Sequence, residues 1–449
     1  MKKTFRGTVK GGLVAGALAL MAFGSQPLFA GTFEFHGYAR SGEMFAPGLY
    51  TAGGQVDEHW IGRLGNEGNQ NYLESELVNS DTASDGSWAK YHVMLVINSN
   101  GFNGTGAFSN YPGSYGNGGV GDILMRQAYV EMGGFAWDPK AVYWIGEKYI
   151  GRDDIHILDF FWRDFSGEGI GVTNAFNGMV DLSVESTGSA NGANGENYLP
   201  FNTDLRVRPF MTMGIDALSS MELEAAVSYQ YGISGGNSKQ SDYGYQFAAV
   251  YPFPKFFGIA DGFSKAAIQL GFANDGTDWN LGHAYTGAAA SKDAVAVRFI
   301  VFGEANNILP NLDLMPAIVY TTAKSGVTNE DQASKLGIAL RPVYKFNNNL
   351  SLQVEGGYSH TFGTNSVTWY QGNSINTTAD YYKVTVAPTL SLNSGFWGRP
   401  QLRMFYTFVG GDVYVGTAAG TTTVNSFHAD NANSSNTESR FGFQFETWF

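Results

Sequence analysis

The segment Ser439–Phe449, SRFGFQFETWF, constrains the fold more than any other stretch of the chain. Phe441, Phe443, Phe445 and Phe449 occupy alternate positions, with Thr447 interrupting. Gly442, Gln444, Glu446 and Trp448 fill the places between. Successive side chains of an extended strand point to opposite faces, so one face is almost wholly phenyl and the other largely polar. A soluble exported protein has little use for an exposed comb of this kind. A strand set between hydrocarbon and water has a direct use for it.

The comb resembles the closing strand of outer-membrane proteins, and the N-terminus agrees. Lys2, Lys3, Arg6 and Lys10 precede an apolar run from Gly11 to Phe23, and small residues lead to Ala30. That order describes a secretory leader over residues 1–30, with cleavage expected after Ala30 and Leu28 as an imperfect fit at the minus-three position. The apolar run is short for a bilayer span. Residues 31–449 then form one barrel domain. Removing the four basic residues of the leader takes the formal charge from −13 to −17, which argues against nucleic acid as a partner. There is no cysteine, so no disulfide supports the fold. The 33 Phe, 24 Tyr, 9 Trp and 59 Gly, with only 15% charged residues, suit walls that alternate between lipid and lumen.

The same alternation recurs. Phe33, Phe35, Gly37 and Ala39 share one face, and Glu34, His36, Tyr38 and Arg40 the other. Leu336 to Phe346 and Leu350 to Tyr358 alternate on either side of Asn347-Asn348-Asn349, which reads as a hairpin with a short periplasmic turn. Tyr344 and Phe346 fit an interfacial girdle. Pro342 lacks a ladder donor and points to a bulge or irregularity. Long Gly/Asn/Ser/Thr stretches, Asn98–Gly121, Glu185–Asn197 and Ala418–Thr437, fit external loops. At roughly 22–24 residues per strand and connection, about 18 antiparallel strands are expected, enough to enclose an aqueous channel.

Parity also sorts side chains by function. With the phenyl comb toward lipid, Trp448 faces the lumen, as do Tyr38 and Arg40, and Tyr72, Glu74 and Glu76. Aromatic rings beside charged groups suit sugars, whose C–H faces stack while their hydroxyls bond to carboxylates and guanidinium groups. On alternation alone, interfacial girdle residues turned inward are an equal reading. Arg152–Gly171, RDDIHILDFFWRDFSGEGIG, does not alternate. It suits either a loop folded into the channel or a solvated external loop.

Several stretches, in order along the chain, resemble the maltoporin family. They are His36–Gly42, Arg63–Glu67 followed by Tyr72, Arg152–Gly167, Trp397-Gly398-Arg399-Pro400, and Trp448-Phe449. The resemblance implies a homotrimer of eighteen-stranded barrels, each narrowed by an inward-folded third loop. It implies passive diffusion of maltose or maltodextrins along an aromatic slide. The slide falls on Tyr38, Tyr72, Phe161, Phe263, Trp397 and Trp448, with Phe161 standing where the family has tyrosine. The accompanying polar track falls on Arg40, Arg63, Glu74, Arg126, Arg152, Asp154, His156 and Asp159. A neighbouring subunit's aromatic corresponds to Phe108, Tyr111 or Tyr115. The family's cysteine pair in the first loop is absent, and Gly68 stands at one of its positions, so other contacts must hold that loop. Outer-membrane lipid and lipopolysaccharide are the expected surroundings, and phage reception through the external loops is compatible with transport. No cofactor or metal set is assigned. The rival readings are a non-selective porin and an outer-membrane hydrolase built on Asp154, His156, Asp159 and Ser166.

Overall fold

The computed structural model describes residues 31–45, 58–66, 70–99, 122–187, 190–191, 197–212, 218–231, 243–278, 280–284, 291–324, 326, 332–364, 376–417, 420–424 and 437–449. The leader, Glu67, Gly68, Phe108, Tyr111, Tyr115 and most of the Asn98–Gly121 loop lie outside them.

Eighteen antiparallel strands form a closed barrel. In chain order, β1 to β6 are Thr32–Phe45, Gln70–Thr82, Trp88–Ser99, Asp122–Gly133, Val142–Lys148 and Gly167–Asn174. β7 to β12 are Val180–Ser186, Asn197–Val207, Glu222–Tyr231, Tyr243–Phe253, Gly262–Ala273 and Val295–Leu309. β13 to β18 are Leu312–Lys324, Gln332–Lys345, Leu350–Thr364, Asn376–Ser391, Gln401–Thr417 and Thr437–Trp448. Each strand pairs with its chain neighbours, and β1 pairs with β18 to close the ring, Tyr38 opposite Trp448 and Phe45 opposite Phe441. Closure leaves no open sheet edge, which hydrocarbon would penalise. The stretch read as the Ala418–Thr437 loop contains a short strand, Gly420–Val424, folded back on β17.

Alternation predicts the two faces correctly. Phe441 and Phe443 are 51% and 55% exposed on the outside, whereas Gln444 and Glu446 on the inside are 4% and 0% exposed. The expected hairpin is present. Asn347 Oδ1 accepts the amides of Asn349 and Leu350, each at 2.9 Å, which fixes the turn. Tyr344 and Phe346 are exposed beside it, their rings edge-on at 5.2 Å. Pro342 makes no bulge. It pairs with Leu314 on β13, and on the β15 side the ladder keeps one register from Leu340↔Gly356 to Val343↔Gln353.

The interior is not empty. Residues 153–163 form a small hairpin, Asp153–Ile155 against Phe160–Arg163, joined by a 3-10 turn at His156–Leu158. Ile155, Ile157, Leu158 and Trp162 are buried with Val250, Ile300, Met315 and Val319 of the facing wall. Burying side chains of this size stabilises by about 1.5–3 kcal/mol each. Of the Arg152–Gly171 segment, residues 153–163 therefore fold into the channel while Gly167–Gly171 begin β6, and the external-loop reading is set aside. Residues 58–66 also lie inside, the Arg63 amide bonding to the Ile157 carbonyl at 2.8 Å. A third inward segment, residues 280–284, was not anticipated from the sequence. Its Gly282 carbonyl accepts the Asp164 amide, and its Ala284 amide donates to the Asp164 carbonyl.

Candidate channel lining

The aromatic and charged side chains singled out from the sequence fall into two connected groups on the lumen wall. In the first, β1 and β18 meet at the seam. Tyr38 donates its hydroxyl hydrogen to Glu446 at 2.9 Å, and Arg63 donates to both the Tyr38 oxygen and Glu446 at 2.8 Å. Trp448 lies 5.9 Å from Trp397 and has the Arg399 guanidinium 3.9 Å from its ring centre. Trp397 comes from the β16–β17 connection, whose Phe396 is buried beneath it. The imidazole of His156 reaches across from the inner hairpin, 5.0 Å from Trp397 and 6.3 Å from Trp448.

The second group lies along β2 and the root of the inner hairpin. Tyr72 is 5.9 Å from Tyr38, which links the groups, and its hydroxyl bonds to Glu74. Tyr149 donates to the same carboxylate at 3.3 Å. Arg152 is held between two rings, 4.3 Å from the centre of Tyr149 and 4.0 Å from that of Phe161. Its Nε also reaches Asp164 at 3.2 Å. Arg40 sits 5.4 Å from the centre of Tyr72 and 3.9 Å from Asp159 of the hairpin. Such cation–ring contacts contribute about 0.5–2 kcal/mol and hold the guanidinium planes in place.

Two expected members join these groups in other ways. Arg126 acts on Tyr72 and Tyr149 through its charge. Phe263 packs against the apolar cluster around Trp162, with Phe302 at 6.3 Å. It joins the slide indirectly, since its β12 partner Glu304 accepts the Trp397 indole hydrogen.

The electrostatics of the non-spanning segments follow from burial. His156 is held well below its ordinary pKa by burial and by the Arg63 charge, so it is neutral and accepts from Arg63 Nη1 at 3.0 Å. Its approach to Asp154 at 3.8 Å is therefore not an ion pair. Burial and nearby Asp159 raise Asp154, against the lowering effect of Arg63. Arg399 is lowered to about 10 by burial, although Glu446 opposes this.

Sequence reading missed the centre of the first group. Glu446 is fully buried and gathers Arg63, Arg399 and Arg403 together with the Tyr38 hydroxyl. Parity alone marks it, because it shares the lumen face with Trp448. Glu304 and Tyr149 were also missed, since each acts through a partner remote in sequence. The absent cysteine pair is replaced by wall contacts. Glu355 accepts the Leu64 amide at 2.7 Å, Lys383 donates to the Gly62 carbonyl at 2.6 Å, and Thr385 donates to the Leu64 carbonyl at 2.9 Å.

A family profile described as LamB porin matches residues 33–449. A maltoporin of Vibrio cholerae serotype O1 is 27% identical over 424 residues, covering 88% of this chain and 92% of the relative. A maltoporin of Hahella chejuensis is 27% identical over 392 residues, covering 85% and 87%. Among solved structures, OpdK of Pseudomonas aeruginosa, crystallised with vanillate, superposes with a TM-score of 0.45 at 9% identity, covering 94% and 99%. That likeness is too low to carry argument. The match over nearly all of the barrel places this chain in the LamB porin family, as a channel of the bacterial outer membrane and not an enzyme.

Proposed function

We propose that the channel passes maltose, maltodextrins or related oligosaccharides by facilitated diffusion along the ring series Tyr72, Tyr38, Trp448, Trp397 and Phe263, with Phe161 at the constriction. The observation that carries the reading is the succession Tyr72–Tyr38 and Trp448–Trp397, each pair at 5.9 Å, on a wall where charged groups sit beside the rings. A pyranose stacks on a ring while its hydroxyls exchange between Arg40, Arg63, Arg152 and the carboxylates Glu74, Asp154 and Asp159. Arg126 and neutral His156 complete the polar side. Each stacked ring and charged hydrogen bond contributes roughly 1–3 kcal/mol, enough to hold a sugar without trapping it. Conduction needs that balance, since entry must be favourable and exit easy. The names of the relatives favour maltodextrins as the substrate class. Phe161 offers no hydroxyl, so selectivity at the narrowest point rests on Arg152.

The working assembly we infer is a homotrimer, reached after removal of residues 1–30 and surrounded by outer-membrane lipid and lipopolysaccharide. Current through the purified protein in a planar bilayer tests the reading. Maltohexaose should block it with higher affinity than maltose, and sucrose more weakly. Trp448→Ala and Tyr38→Ala should each raise the half-saturation concentration about tenfold while trimers still assemble. Unblocked current in the native protein would instead identify a non-selective porin.

A further inference from the structure

The segment carrying Arg63 is gripped from the wall beside the seam, and we infer that Lys383, with Glu355, is a positioning residue for Arg63 and so sets the sugar affinity of the polar track. The inference rests on the sugar-channel reading above. Lys383 is on β16 and Glu355 on β15, two and three strands along the wall from β18 of the seam where Arg63 works. Lys383 is fully buried, with Nζ donating to the Gly62 carbonyl at 2.6 Å and to Asn66 Oδ1 at 2.7 Å. Glu355 Oε1 accepts the Leu64 amide at 2.7 Å and lies 3.4 Å from the Lys383 nitrogen. These bonds take the backbone on both sides of Arg63. The Arg63 amide is itself spent on Ile157, so its guanidinium is left to project to Tyr38, Glu446 and His156.

The grip is fitted to its object. Gly62 has φ +109° and lies against the Glu355 carboxylate, where any Cβ would collide. Gly357 on β15 clears the way for the Ile61 backbone in the same manner. Burying an ammonium group is expensive unless it is fully bonded. The Lys383 ammonium meets that need with the Gly62 carbonyl, Asn66 and Glu355.

The variant Lys383→Met tests this, because Glu355 keeps Arg341 at 2.7 Å and no buried carboxylate is stranded. Expected is a rise of about tenfold in the half-saturation concentration for maltohexaose block. In an Arg63→Gln background, Lys383→Met should add less than about twofold, since both changes remove one contact. Additive effects of the two substitutions would overturn the inference, as would unchanged block in Lys383→Met alone. Ion conductance without sugar separates this from failure of the sugar reading. Release of residues 58–66 should raise it in Lys383→Met, whether or not the native channel binds maltohexaose.

Discussion

The two larger inward segments are secured with different emphasis. Residues 58–66 are held by their backbone, gripped by Glu355, Lys383 and Thr385 of the wall. The hairpin at residues 153–163 also has backbone bonds, the Trp162 carbonyl accepting from Gln269 at 3.0 Å, but its ionic anchors are its own side chains. Its Arg163 reaches Asp153 within the hairpin and Glu222 and Glu224 of β9, each at 2.5–2.8 Å, while Ile155, Ile157 and Trp162 fill the apolar wall. A segment clasped by its backbone needs glycine where the wall comes close, as at Gly62. A segment held by its side chains is sensitive residue by residue.

The sharpest way to break this contrast is Arg163→Ala. It removes the guanidinium shared by Asp153, Glu222 and Glu224, which then keep Lys265, Arg208 and Arg206, a loss on the order of 3–5 kcal/mol for three charge-assisted contacts. A lower denaturant midpoint and a wider, noisier single-channel conductance should follow. If both stay native, the ion cluster does not hold the constriction. Gly62→Ala should come next, at roughly 1–3 kcal/mol, because the φ of +109° and the Glu355 carboxylate both oppose a Cβ. Higher conductance with an intact barrel is the expected reading. A silent Gly62→Ala would mean that the wall does not clasp the backbone there.

The smallest effect concerns pH. His156 is depressed in the folded state, so below the ordinary histidine range the unfolded chain takes up a proton that the folded chain does not. Stability is therefore full above that range and falls as pH drops from about 7 toward the folded pKa. His156→Gln should flatten this part of the pH profile, measured as the denaturant midpoint between pH 7.5 and 5. An unchanged slope would show that the imidazole is not sealed between Arg63 and the tryptophans.

The wall of the barrel was legible in the sequence because its order is local. Alternation along Phe441–Trp448 or Leu336–Phe346 places every side chain from its neighbours alone. The turn at Asn347–Asn349 was readable for the same reason. Pro342 misled because a missing donor need not shift register when the adjoining pairs persist. The interior was legible only through family resemblance. Arg63 and His156 owe their places to each other and to a partner as remote as Glu446, and Arg152 to Asp164 in its own segment. Of these, only Glu446 stands in a run with a period of two. Glu446 shows the limit of local reading. Alternation puts it on the water side, but not that three arginines converge there.

The seam bears on assembly. Gly37 and Phe449 exchange two backbone bonds, at 2.8 and 3.0 Å, and Tyr38 lies opposite Trp448 in the same rungs. The stave that seals the cylinder therefore also lays down the middle of the proposed track. Maturation and competence coincide: an unsealed intermediate lacks Tyr38, Glu446 and Trp448 in their joint arrangement, so no half-built particle can offer a carbohydrate a working lane.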